Sequence, residues 1–238
     1  MKGKGGHRGI GGDASKRRLA VRVKTARRRS SSSAQWLQRQ LNDPYVAEAK
    51  DRGFRSRAAF KLLQLDEKFH LLRPHLRVVD LGAAPGGWSQ VAAKKIGEKG
   101  KIIALDLLPL DPLNGVTFLQ MDFMDDEAPE KLKQALGGQA DLVLSDMAPS
   151  TTGHSGTDHL RIMDLAEHAV HFAMSVLAKD GVVVCKYFQG GAEKELLDSL
   201  KKSFAKVRHA KPAASRADSS ESFIVAMGFR GQITPPDN

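Results

Sequence analysis

Cysteine is all but missing: Cys185 stands alone in 238 residues, which excludes an internal disulfide framework. Cysteine and histidine also fail to gather at ligand spacings, so a structural zinc site has no support and no metal is expected. No stretch approaches the roughly 20 apolar residues of a membrane helix, and the N-terminus lacks the apolar centre of a secretory signal. The chain is therefore expected to be soluble, cytoplasmic and without membrane contact. With 41% hydrophobic residues it can build one globular domain, or a domain plus a tail, and wholesale disorder is excluded.

Acids are scarce in one segment. Residues 1–33 hold eleven Lys/Arg against a single acid, Asp13, a net charge of +10 that equals the charge of the whole chain. Taking these from the totals of 37 and 27 leaves 26 basic and 26 acidic groups in residues 34–238. Rich in Gly, Arg and Ser and without apolar periodicity, the arm at 1–33 has too little to bury and is expected to be disordered when free. It suits contact with a polyanion, RNA foremost, through counterion release. A solubilising tail and a targeting peptide are the alternatives, and the Gly-rich start offers no amphipathic helix for the latter.

From residue 34 onward the pattern organises. Gln35–Lys50 reads as weakly helical, and Ser56 is placed to cap a helix through His70, with Phe60, Leu63 and Phe69 on its buried side. Strands are predicted at Leu76–Leu81, Lys101–Asp106, Val116–Gln120, Ala140–Asp146, Val182–Phe188, Lys206–His209 and Glu221–Gly228. Helices are predicted after the Gly82–Gly87 loop through Ile96, at Pro129–Leu136, Asp158–Leu177 and Ala192–Phe204. Alternating strands and helices, several strands continuously apolar, specify an α/β fold with a mostly parallel central sheet and helices on both faces.

In such sheets ligands bind beyond the carboxyl ends of the strands, so the residues found there matter most. Asp80 and Asp106 end the first two strands, Asp122 follows the third, Asp146 ends the fourth and Lys186 lies near the end of the fifth. Any one acid could be a helix cap or a turn residue; five chemical groups at equivalent places argue for a site. The loop Asp80-Leu81-Gly82-Ala83-Ala84-Pro85-Gly86-Gly87 allows close backbone approach at a helix N-terminus. It is neither a P-loop nor a G-x-G-x-x-G turn, because no Gly-Lys-Ser/Thr follows and the glycine spacing differs. Asp106, one strand-helix-strand step later, can accept both hydroxyls of a ribose. The combination indicates a nucleoside cofactor without a pyrophosphate, for which S-adenosyl-L-methionine is suitable. Trp88 is expected in the wall around it, and Asp122 is expected to accept from an adenine amino group or to cap the following turn.

Five ordered motifs, RSRAAFKL from Arg55, VDLGAAPGGWSQ from Val79, DLLPLDP from Asp106, SDMAPS from Ser145 and KYFQG from Lys186, resemble the FtsJ-like ribosomal RNA 2′-O-ribose methyltransferases from about Arg52 to Gly228. The resemblance implies a Rossmann-like, S-adenosylmethionine-dependent methyltransferase domain at 34–238, with its core at about 52–228, acting on a uridine ribose in large-subunit ribosomal RNA, free or in a 50S-type subunit, as a monomer. It implies Lys61, Asp146, Lys186 and Glu221 as the catalytic set, and Gly86, Trp88, Asp106, Asp122 and Asp146 as cofactor residues. Phe223 departs from the pattern, since many relatives place tyrosine there.

Methyl transfer to a ribose oxygen needs that hydroxyl's proton removed, and Lys186 is the candidate base if burial or a nearby Lys61 cation lowers its pKa. Otherwise a charged Lys186 would stabilise the developing alkoxide. Rival readings are an amino-group methyltransferase, which would want an aromatic residue after Asp146-Met147-Ala148-Pro149, and a carbon methyltransferase, which would want a nucleophilic cysteine. Cys185 is expected to face away from Lys186 as a core residue. His154 and His159 are placed to touch substrate or to lie in solvent, while His168 and His171 lack a third metal ligand. Transfer or capped messenger RNA remain alternative substrates, and a non-catalytic RNA-binding assembly factor would use Arg52, Arg55 and Arg57 equally well but has no need of the acids.

Overall fold

The computed structural model describes residues 31–149, 154–189 and 194–231. The chain divides into a unit through Pro44 and a unit from Tyr45 onward. In the first, α1 spans Ser31–Asn42, with Asn42 Nδ2 donating to the carbonyl of Gln38 at 2.7 Å. The arm expected at 1–33 lies outside the described residues except for Ser31–Ser33, which open this helix. The single helix expected over Gln35–Lys50 is two, because α2 starts afresh at Pro44 and runs to Asp51. Proline has no N–H to continue the preceding helix and is favoured at a first helical position.

The second unit is built on a seven-stranded sheet in the order β3-β2-β1-β4-β5-β7-β6. The strands are β1 Arg77–Leu81, β2 Lys101–Asp106, β3 Val116–Gln120, β4 Ala140–Ser145, β5 Leu177–Phe188, β6 Phe204–Ala210 and β7 Glu221–Phe229. The pairings β3-β2, β2-β1, β1-β4 and β4-β5 are parallel, whereas β7 runs antiparallel to both β5 and β6. The helices are α3 Ala58–Phe69, α4 Gly87–Ile96, α5 Ala128–Leu136, α6 Ser155–Val176 and α7 Lys194–Ser203. The mostly parallel sheet with helices on both faces expected from the alternation is present, and so is the Rossmann-like arrangement that the family resemblance implies.

Side chains leave a strand alternately to either face, which sorts the apolar residues into two cores. Val78, Ile102, Leu144, Val184 and Phe223 pack with α3 and α4. Val79, Ile103, Val143, Cys185 and Ile224 pack with α5, α6 and α7 on the other face. On α3 the innermost residues are Ala59, Leu62 and Leu65, whereas Leu63 and Phe69, expected inside, are half-buried because the helix turns its 59-62-65 stripe to the sheet. Ser56 does not cap this helix: the N-cap position is Arg57, with no side-chain cap bond. The helix closes with His70 in the left-handed region, its N–H donating to the carbonyl of Asp66 at 2.7 Å.

Candidate active site

β1 lies between β2 and β4, so the connections leaving β1 and β4 depart on opposite sides and open a crevice at the carboxyl edge of the sheet. A cavity of about 490 Å³ sits there, lined among others by Asp106, Asp122, Asp146 and Arg161. Asp106 is oriented in advance: Oδ2 accepts from Ala84 N–H and Oδ1 from Leu108 N–H, each at 2.8 Å. A carboxylate offers about four acceptor positions, so roughly two remain for ligand hydroxyls. Asp122 lines the cavity, and its Oδ1 accepts from Met124 N–H at 2.9 Å, the expected bond to the following turn. Leu107, Leu108 and Met124 are exposed at the rim, an apolar surface suited to a flat ring.

Two glycines shape the approach. At Gly82 a Cβ would come within 2.8 Å of the Met147 side chain, so the loops after β1 and β4 touch only because the residue has none. Gly86, the N-cap of α4, has φ +102°, a conformation open to glycine, and lies against Arg55. Arg55 ties the two loops around the crevice together by donating to the carbonyls of Pro85, Asp111 and Pro112.

Several expected residues sit elsewhere. Trp88 does not line the cavity: its indole is buried against Phe223, and Nε1 donates to the carbonyl of Ala58 at 2.8 Å. Its main-chain N–H lies in the first turn of α4, where no helical carbonyl is available to it. Gly86 shapes the loop without lining the cavity. Asp80 lies one residue inside the end of β1 and is fully buried, with Ser89 Oγ donating to Oδ2 at 2.6 Å and Oδ1 without a hydrogen-bond partner. Burial, reinforced by Asp146 and Asp106 and resisted by the Ser89 hydroxyl, pushes its carboxyl up to about 7. Arg52 and Arg57 are engaged within the fold, Arg52 with Glu48 at 2.6 Å and Arg57 with the carbonyl of Ala214 at 2.5 Å.

Strand parity explains how four residues far apart in sequence meet. Lys186 pairs with Phe223 across β5 and β7, and Glu221 is two residues from Phe223, so all three share the face covered by α3. From α3 Lys61 reaches across Phe223, its Nζ 5.5 Å from the ring centroid, to Glu221 Oε2 at 2.8 Å. It also lies 3.4 Å from both carboxylate oxygens of Asp146. Lys186 completes the set, with Nζ 3.0 Å from Asp146 Oδ1 and donating to that residue's carbonyl at 2.5 Å. The result is a continuous chain Glu221–Lys61–Asp146–Lys186 beside the cavity that Asp146 lines.

Charge balance within this chain is uneven. Burial opposes the Lys61 ammonium, but Asp146 and Glu221 outweigh it and hold the lysine above its ordinary pKa. Burial likewise opposes the Asp146 carboxylate, and the two lysines more than offset it, holding this acid below the usual carboxylate range. Lys61 is thus held as a cation between two carboxylates. Cys185, one residue along β5, points into the opposite core; burial raises its thiol to about 12, which removes it as a nucleophile. Exposed His168 bonds Asp164 within α6, and among the described residues no three potential ligands gather as a metal site.

A mostly parallel sheet with an acid-lined crevice at its carboxyl edge and no phosphate-cradling motif suits a nucleoside-dependent transferase, and the class is given by the family. The profile of the FtsJ-like methyltransferase family matches residues 54–229, and the chain belongs to that family. A protein of Paramagnetospirillum magneticum named ribosomal RNA large subunit methyltransferase E is 62% identical over 228 residues, covering 94% of this chain and 93% of the relative. Its namesake in Azorhizobium caulinodans is 64% identical over 218 residues, covering 90% and 91%. A ribosomal RNA methyltransferase of Plasmodium falciparum, known from its crystal structure, superposes with a TM-score of 0.67 at 31% identity, covering 75% of this chain and all of that one.

Sequence reasoning passed over Ser215, whose hydroxyl donates to Glu221 Oε1 at 2.7 Å, and Arg161 and Asp164, which reach the cavity from α6. No spacing announces Ser215, because it meets the site through the connection between β6 and β7.

Proposed function

We propose that this enzyme transfers the methyl group of S-adenosyl-L-methionine to the 2′-hydroxyl of a uridine in large-subunit ribosomal RNA. The observation that carries the reading is the Glu221–Lys61–Asp146–Lys186 chain, whose third member also lines the crevice. The names of the two bacterial relatives support the ribosomal RNA substrate. The cavity's residues fit the cofactor: Asp106 keeps acceptor capacity for ribose hydroxyls, the rim offers apolar surface for adenine, and Asp122 suits its amino group. When bound, that cofactor supplies an electrophilic methyl on a sulfonium.

The chain's own residues supply position and proton handling. Lys61 stays charged and, with Asp146, holds Lys186 toward the crevice; Lys186 receives the hydroxyl proton as the ribose oxygen attacks. The Trp88 main-chain N–H at the start of α4 suits the cofactor's carboxylate. The basic arm is read as an additional RNA contact.

The deciding experiment uses large ribosomal subunits lacking the modification and methyl-labelled cofactor. Label is expected on one ribose, protecting the adjacent phosphodiester from alkali. An otherwise identical RNA with 2′-deoxyuridine at that site should bind comparably and accept no methyl. Label recovered on a free base, or undiminished transfer to the deoxy substrate, would refute the assignment.

A further inference from the structure

We propose that Ser215 is a positioning residue for methyl transfer, fixing Glu221 and through it the Lys61 cation; this rests on the catalytic reading of the Lys61–Asp146–Lys186–Glu221 set. Glu221 has both oxygens committed: Oε2 to Lys61 at 2.8 Å and Oε1 to the Ser215 hydroxyl at 2.7 Å. Two bonds on opposite oxygens fix the plane of a carboxylate, whereas one leaves it free to turn. Lys61 is held more closely by Glu221 than by Asp146, whose oxygens lie 3.4 Å away. The orientation of Glu221 therefore sets where the Lys61 ammonium stands.

Ser215 is itself held. It is 6% exposed, and its N–H donates to the carbonyl of Pro212 at 2.8 Å. The residue before it is clasped from the α3 region: Ala214 N–H donates to Gln64 Oε1 at 2.8 Å, and Arg57 donates to the Ala214 carbonyl. Gln64 lies one helical turn beyond Lys61 on α3, so a single helix carries the cation and anchors the segment that aims its partner. A serine serving only the turn between β6 and β7 would have no need to commit its hydroxyl to the acid nearest Lys61.

The test is a double-mutant cycle in single-turnover methyl transfer to large subunits, with cofactor affinity measured in parallel. Ser215→Ala is expected to slow transfer about tenfold, the worth of a hydrogen bond to a charged group, with cofactor affinity unchanged. Ser215→Cys, close in shape but a weak donor, should slow it similarly and guards against a folding defect in the alanine variant. Glu221→Ala should slow transfer by itself, and adding Ser215→Ala should slow it no further. Native rates for both Ser215 variants, or the same loss from Ser215→Ala with Glu221 present or absent, would overturn the positioning role while leaving the catalytic set standing. A native rate for Glu221→Ala would overturn both.

Discussion

Asp80 is an acid whose ionisation the fold delays to near neutral pH, and its titration should register in stability. Its carboxyl is pushed up to about 7 from an ordinary 3.8, chiefly by burial, so between about pH 4 and 7 the folded protein retains a proton that the unfolded chain has released. Stability contributed by this group is then full below pH 4, falls as pH rises through the window and levels off above 7. Asp80→Asn keeps an oxygen for Ser89 and carries no charge, so it should gain on the native protein by at most about 4 kcal/mol between pH 4 and 8. Urea unfolding at both pH values measures it, and a pH-independent difference would contradict the reading. Lys186 offers a second test. Lys186→Arg retains a cation but cannot surrender its proton at neutral pH, so it should slow single-turnover transfer roughly a hundredfold or more if Lys186 is the base. A rate near native would instead assign Lys186 to holding the developing negative charge. Glu221 came from the family resemblance alone, whereas Asp146 and Lys186 were legible at strand ends and Lys61 within a motif. Their partners were not: that Lys61 sits nearer Glu221 than Asp146 depends on the β5–β7 register and the rotation of α3, which arise only in the assembled sheet.

Among the elements, β2 and β3 match their expected limits to the residue, since glycine, proline or a change in polarity bounds each apolar run. The break between α1 and α2 is written locally in Pro44, but the absence of a Ser56 cap and the inward turn of Trp88 escaped notice for one reason. Each is decided by what a neighbouring element leaves room for, and local pattern carries no record of that. α3 shows the same division, because its apolar residues could form several stripes and packing selects 59-62-65. Leu62 is fully buried in the middle of that stripe, next to Lys61. Leu62→Ala should cost about 2–5 kcal/mol in chemical denaturation, with a loss of transfer rate among the molecules that remain folded as Lys61 loses its support. An unchanged denaturation midpoint would show that α3 is not held by this stripe.

On the scale of the whole molecule, net charge and chemistry occupy different parts of the sequence. Residues 34–238 are balanced at 26 charges of each sign, while 1–33 carry +10. Removing residues 1–33 should leave methyl transfer intact at low salt and weaken RNA binding. If about six arm cations meet single-stranded phosphates, the slope of log affinity against log salt should fall by roughly four. An unchanged slope by fluorescence anisotropy would make the arm a solubilising tail. The order of strands has a consequence in time. β7 is the last strand among the described residues, yet it inserts between β5 and β6 and brings Glu221 to Lys61, 160 residues upstream. Domains emerge from the ribosome N-terminal end first. The crevice at β1, β2 and β4 can form while the chain is still being made, but Lys61 meets its closest acid only after the final strand is released. A nascent chain thus carries the residues that line the crevice well before it carries the acid nearest Lys61.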